Sequence, residues 1–255
     1  MNPFKTAAIA FSTYSVIPMP RFEWSGENMR YALCFLPLVG IVIGALLYAW
    51  SALCNALGFS RLLFAAVGVF LPIAVTGGIH MDGFCDVCDA LASHKSKEQK
   101  LSILKDSHIG AFAAIKCCVY FILQLALLYE CKADCLLVCI GFVLSRALSA
   151  LLATLLPNAR GSGMLADYTS GMNKAPAAAA MLITAALCSA GMVFISPIGG
   201  VCCIVLCAAW CFIYKAQSSR QFGGVTGDTA GYFLQIREIL VLVGTVIGNS
   251  AKGLT

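Results

Sequence analysis

Three aspartates, Asp82, Asp86 and Asp89, stand in a polar run that reads His80-Met81-Asp82-Gly83-Phe84-Cys85-Asp86-Val87-Cys88-Asp89. On a helix these positions are i, i+4 and i+7, so the three carboxylates share one face. Stacked like charges repel by roughly a few tenths of a kcal/mol per pair in water. No Lys or Arg within the run offsets this, so a cation is the natural partner. Hard carboxylate oxygens suit Mg²⁺, which keeps some of its waters and bridges carboxylates to substrate phosphates. Asp82, Asp86 and Asp89 are therefore candidate metal ligands and catalytic groups. Flanking Phe84, Val87 and Leu91 favour a groove over a solvated helix end. His80, Cys85, Cys88 and His94 offer a rival zinc-like set. Its spacing matches none of the usual zinc patterns, and the interleaved carboxylates prefer a harder ion.

Two further motifs carry groups of the same kind. Lys105-Asp106-Ser107-His108-Ile109-Gly110 leads into an apolar run, where Asp106 could add a ligand or simply cap a helix. Phe222-Gly223-Gly224-Val225-Thr226-Gly227-Asp228-Thr229 opens another. A Gly-rich turn feeding a helix presents free backbone N–H groups to a phosphate, which makes Gly223, Gly224, Thr226 and Gly227 candidate phosphate contacts. The turn lacks the Gly-Lys-Ser/Thr of a Walker A loop. Asp228 would oppose anion binding unless a metal mediates it, so it joins the candidate metal and catalytic set. Lys105, Arg160 and Arg220 are phosphate-clamp candidates or ordinary topology-setting charges. Arg146 lies inside an apolar run, where a charge is costly unless it faces the bundle interior; it joins His80 and Asp106 among the candidate substrate and phosphate contacts, or else pairs with Glu238 or snorkels.

The elements that must position these residues are membrane helices. Sixty per cent of the 255 residues are hydrophobic and 11 % charged, whereas a soluble domain carries about 25 % charged residues. Apolar runs predict spans at 32–55, 61–79, 110–129, 134–156, 176–196, 197–214 and 230–249. The expected fold is a single all-α domain over 1–255, a polytopic integral membrane helix bundle of about six or seven transmembrane helices. Residues 4–17 read as a short interfacial or re-entrant element, and no cleavable leader is expected there. With a cytoplasmic N-terminus and seven spans, eleven Lys and Arg residues fall inside, against Arg61, Lys132 and Lys252 outside. Glu130 and Asp134 are likewise placed outside. The acidic motifs then all face the cytoplasm. The net charge of +5 is dispersed, which argues against a nucleic-acid partner. Most of the 14 cysteines lie inside apolar runs, as small hydrophobes rather than a disulfide scaffold.

In order and spacing the motifs resemble the adenosylcobinamide-GDP ribazoletransferase family, membrane enzymes also called cobalamin synthases. The resemblance runs nearly end to end. It takes in Ile17-Pro18-Met19-Pro20, Phe35-Leu36-Pro37-Leu38-Val39-Gly40, the 80–91 acidic run, Asp106-Ser107-His108-Ile109-Gly110, Arg146-Ala147-Leu148, Leu156-Pro157-Asn158-Ala159-Arg160 and Gly223-Gly224-Val225-Thr226-Gly227-Asp228. Cys85 and Cys88 replace small residues, and His108 stands where Arg is common in the family. The resemblance implies transfer from adenosylcobinamide-GDP to α-ribazole or its 5′-phosphate, giving adenosylcobalamin or its 5′-phosphate and GMP, with Mg²⁺. It implies an inner-membrane enzyme, surrounded by lipid, that works as a homo-oligomer or with other enzymes of nucleotide-loop assembly. Two readings compete. A CDP-alcohol phosphotransferase would carry Asp-Gly-x-x-Ala-Arg, which Phe84-Cys85-Asp86-Val87 contradicts. A transporter would want polar groups at mid-membrane in paired broken helices.

Overall fold

The computed structural model describes residues 2–131 and 135–252. Lys132 and Asp134, expected as external charges, and the side chain of Lys252 lie outside the described residues. The chain forms α1 (Pro3–Tyr14), α2 (Gly26–Met29), a 3₁₀ turn (Ala32–Phe35), α3 (Leu36–Leu57), α4 (Arg61–Thr76), α5 (Ile79–Ala92) and α6 (Lys97–Ile103). It continues with α7 (Ala111–Glu130), α8 (Cys135–Leu155), α9 (Met164–Thr169), α10 (Lys174–Ile195), α11 (Pro197–Phe222) and α12 (Gly227–Lys252). Among the described residues there is no strand, only an isolated bridge between Asn158 and Val225. The cysteines other than Cys131 are free thiols.

Six of these stretches are long and apolar enough to cross a bilayer, and α4 with α5 adds a pair bent by 95°. This is a multi-pass membrane protein. The break expected at Ser196-Pro197 is real: Pro197 has no N–H to donate and its fixed φ suits the first position of α11. Some boundaries differ from the hydropathy reading, and α4 already ends at Thr76. α11 runs on to Phe222 and α12 starts at Gly227, because polar residues extend both helices beyond their apolar runs. There the α11 extension meets α6, where buried Lys100 hydrogen-bonds Gln221. α1 is the short helix expected at the N-terminus. Asn2 caps it, and Ile9 and Ala10 are buried in a core shared with the 3₁₀ turn and α8.

α8 is packed against α3, α10 and α12, and α12 in turn packs against α5, α7 and α11. The spans alternate in direction. Hence the α4–α7, α8–α10 and α11–α12 connections share one end of the bundle with α1 and the start of α3, while the α3–α4, α7–α8 and α10–α11 connections share the other. α4 is about 24 Å long at 1.5 Å per residue. It ends on Gly77 and Gly78, both with positive φ (63° and 83°), and the bend they allow lays α5 across the end of the bundle. This carries the 82–89 run out of the spanning direction and over the start of α12.

Candidate active site

α5 can lie close on α12 because Gly83 has no side chain. A Cβ there would meet the backbone of Asp228 at 2.8 Å. The contact joins motifs that are distant in sequence, so Asp82, Asp86 and Asp228 line one cavity of about 740 Å³. Lys105, Asp106 and His108 line its other side. Asp106 Oδ1 lies 2.8 Å from His108 Nδ1 and accepts the His108 backbone N–H at 3.0 Å. These bonds hold the Asp106 carboxyl below its usual range. Asp86 is pushed the other way, up to about 7. Burial is the largest cause, followed by the facing charges of Asp82, Asp228 and Asp89, while Arg160 opposes the shift.

Asp89 does not line the cavity. Its carboxylate accepts the backbone N–H of Gly110 at 2.6 Å and of Ala113 at 2.9 Å. Those are free donors at the start of α7, so Asp89 caps that helix from a neighbouring element. The 223–226 turn also differs from the phosphate-cradle expectation. The N–H of Gly223 and of Gly224 go to Ser219 and Ser218, and Val225 N–H goes to Pro157 O. Thr226 N–H goes to Thr229 Oγ1, and Thr229 N–H returns to Thr226 Oγ1. Gly224 is needed for packing, since a Cβ there would stand 2.3 Å from Pro157 O. Thr226, Gly227 and Asp228 bring the start of α12 to a cavity wall. Gly223 closes α11 with φ 78°.

The bridge between Asn158 and Val225 sets Arg160 beside Asp228, with Nη2 to Oδ2 at 3.0 Å. Thr226 Oγ1 donates to the same carboxylate oxygen at 3.3 Å. Arg160, Thr226, Gly227 and His80 line a second cavity of about 310 Å³ that shares Ile79, Asp82 and Asp228 with the first. His80 stacks on Tyr14 with ring centroids 6.0 Å apart. Burial, and then the Arg146 charge, push the His80 pKa down to about 3. Arg146 itself reaches neither cavity. It is buried beneath α5, 2.9 Å from Glu238 Oε1, and donates to Phe142 O. With His80, Gln124, Gln235 and Glu238 it encloses a small polar chamber.

Sequence reasoning missed Tyr14, Ser162, Met164 and Leu165, which line the second cavity. None carries a charge or a motif, and only the fold brings them to Arg160. Gln124 and Gln235 were findable as amides within apolar runs.

Among the described residues no three Asp, Glu, His or Cys side chains converge as a ready-made metal cage. The zinc-like set His80, Cys85, Cys88 and His94 is accordingly not assembled. Mg²⁺ asks for less, typically one or two carboxylates plus waters and substrate phosphates. The hard oxygens of Asp82, Asp86 and Asp228 on one cavity wall fit that requirement, and their mutual repulsion marks where a cation would be favoured.

Comparison with known proteins decides the family. A family model described as cobalamin-5-phosphate synthase matches residues 6–246. The chain belongs to this family. It is 42 % identical over 243 residues to an adenosylcobinamide-GDP ribazoletransferase of Lachnoclostridium phytofermentans, covering 94 % of this chain and 93 % of that one. It is 33 % identical over 258 residues to a protein of the same name from Geobacillus thermodenitrificans, covering 96 % and 97 %. It is 30 % identical over 246 residues to one from Clostridium botulinum strain Alaska E43, covering 94 % and 96 %. No solved structure matches. The matched residues of the family model include the acidic run of α5, Arg160 and the 223–228 turn, which are the parts that build the two cavities.

Proposed function

We propose that this chain is an adenosylcobinamide-GDP ribazoletransferase, working with Mg²⁺ on the cytoplasmic side of the cell's inner membrane. A ribose hydroxyl oxygen of α-ribazole, or of its 5′-phosphate, attacks the corrinoid-bearing phosphorus of adenosylcobinamide-GDP. The bond from that phosphorus to the bridging oxygen breaks, GMP departs with the electron pair, and the hydroxyl proton is released to a carboxylate or to water. The observation that carries this reading is the meeting of Asp82 and Asp86 from α5 with Asp228 from α12, beside Arg160.

Such transfers depend on in-line placement and on neutralising charge at the phosphate oxygens. Asp82, Asp86 and Asp228 would hold the Mg²⁺. When bound, the ion would supply that neutralisation and polarise the phosphoryl group. Arg160 is held at the edge of this wall by Asp228, whose carboxylate also accepts from Thr226 Oγ1, and adds a fixed positive charge for a phosphate oxygen. Lys105 lines the opposite side of the larger cavity, where an anionic donor gains a second charge. Asp89 serves by fixing α5 on α7, and Arg146 by its buried pair with Glu238 beneath α5.

The test is GMP release from adenosylcobinamide-GDP by the purified protein in detergent. Release should need both α-ribazole and Mg²⁺, and Asp82→Ala should abolish it while leaving a monodisperse, membrane-inserted protein. Undiminished turnover in Asp82→Ala would refute the carboxylate assignment.

A further inference from the structure

Two cavities meet at one wall, and each has its own character. The larger is wide and acidic, with Asp82, Asp86, Asp106 and Asp228 against Lys105. The smaller, about 310 Å³, is enclosed on one side by Tyr14, Met164 and Leu165 and carries Arg160. Ligand cavities run from roughly 300 to 1,000 Å³, so the smaller one is the size for a nucleoside and far too small for a corrin macrocycle. In-line transfer puts the attacking and leaving oxygens on opposite sides of phosphorus. Two cavities divided by the proposed metal-holding wall meet that requirement.

Arg160 shows what the smaller cavity is built to take. Its Nε and Nη2 atoms are buried; Nη2 is ion-paired with Asp228 Oδ2 at 3.0 Å, and Nε has no partner. Nε and Nη2 together are the edge of a guanidinium that binds a phosphate with two parallel bonds. His80 lies between this cavity and the polar chamber beneath α5. It is 6 % exposed and its Nε2 has no partner. Buried polar groups without partners are uncommon in native proteins, and a bound ligand is one way they are satisfied.

Resting on the proposed transferase reading, we infer that the smaller cavity is the subsite of the acceptor nucleoside, and that the Nε–Nη2 edge of Arg160 takes the acceptor's 5′-phosphate. The donor's guanine would be the other nucleoside-sized occupant. It presents N–H donors on its Watson–Crick edge, and the cavity has no disengaged amide oxygen for them: Asn158 Oδ1 already accepts the N–H of Arg160 and of Gly161. The two carboxylates present, Asp82 and Asp228, belong to the shared wall. A benzimidazole base asks for no such acceptor and suits walls of Tyr14, Met164 and Leu165.

Ser162 and Met164 are exposed at the rim, so substitutions there spare the core. Steady-state KM values for α-ribazole, its 5′-phosphate and adenosylcobinamide-GDP would be compared in the parent, Ser162→Glu and Met164→Trp. Ser162→Glu sets an anion beside the proposed phosphate position. It should raise KM for the 5′-phosphate about tenfold more than KM for free α-ribazole, a difference of about 1.4 kcal/mol. Met164→Trp should raise both acceptor KM values together by reducing the space. Neither should move the donor KM. A raised donor KM, or weaker product inhibition by GMP with acceptor KM unchanged, would assign the cavity to the leaving nucleotide and overturn the inference. Three unchanged KM values in both variants would overturn it equally. Failure of the underlying metal reading would show separately, as GMP release by the parent without divalent ions.

Discussion

At the scale of single residues, the carboxylates are individually ordinary and collectively strained. Asp86 is the clearest case, with its pKa pushed up to about 7 by burial and by the acids it faces. A carboxyl that holds its proton more tightly folded than unfolded loses stability as pH rises, here from an unfolded value of about 4 to the folded value of about 7. Below that window both states are protonated and the group contributes nothing. With divalent ions chelated, Asp86→Asn should therefore raise Tm at about pH 8 and leave it almost unchanged at about pH 4. Turnover should be lost at both. A Tm that falls at the higher pH would mean that Asp86 is stabilised by its surroundings. The sequence made Asp82 and Asp86 legible because i and i+4 on a helix is a local relation. It could not separate Asp89 from them, since ligand and cap differ only by where the start of α7 docks, 21 residues later. The partner of Arg146 lies 92 residues away and was foreseen only as one option among several.

At the scale of elements, the site depends on α5 being fixed in three places. Gly83 sets its distance from α12, the Gly77-Gly78 bend sets its direction, and Asp89 ties its last turn to α7. Asp89 therefore acts as a positioning residue, which gives it a signature unlike that of a ligand. Removing a helix cap costs about 1 kcal/mol. Asp89→Ala should lower thermal stability and kcat together, while Asp89→Asn, which keeps an acceptor for one backbone N–H, should recover most of both. The Mg²⁺ concentration giving half-maximal rate should change little in Asp89→Asn. An Asn variant as inactive as the Ala variant, with a greatly increased Mg²⁺ requirement, would return Asp89 to the ligand set. Hydropathy located the spans well because lipid imposes one simple demand on about 20 residues at a time. It placed the ends of α11 and α12 less well. Outside the bilayer a helix continues for local reasons, such as the docking of α6 through Lys100 and Gln221.

At the scale of the whole molecule, alternation of the spans gathers most of the positive charge at one end of the bundle, which supports the proposed cytoplasmic orientation. The end of the bundle that carries α5, α9 and the 223–226 turn also carries Lys95, Lys97, Lys100, Lys105, Arg160, Lys174 and Arg220. Loops rich in Lys and Arg stay in the cytoplasm. Under the proposed function, Lys105 and Arg160 among these cations would offset the carboxylates and draw in the anionic donor. The two roles can be separated by experiment, because topology is set during insertion and does not depend on catalysis. Reporter fusions after residues 95, 165 and 220 should all read cytoplasmic, and a fusion after residue 58 should read external. Those three positions fall in three different connections, so a misplaced span between them would split their readings, whereas a misplaced α4 would turn all three external. If residues 58, 95, 165 and 220 all read external, α4 does not cross the membrane. The cavity between α5 and α12 would then lie on the outer side, and the cytoplasmic site would have to be abandoned along with the topology.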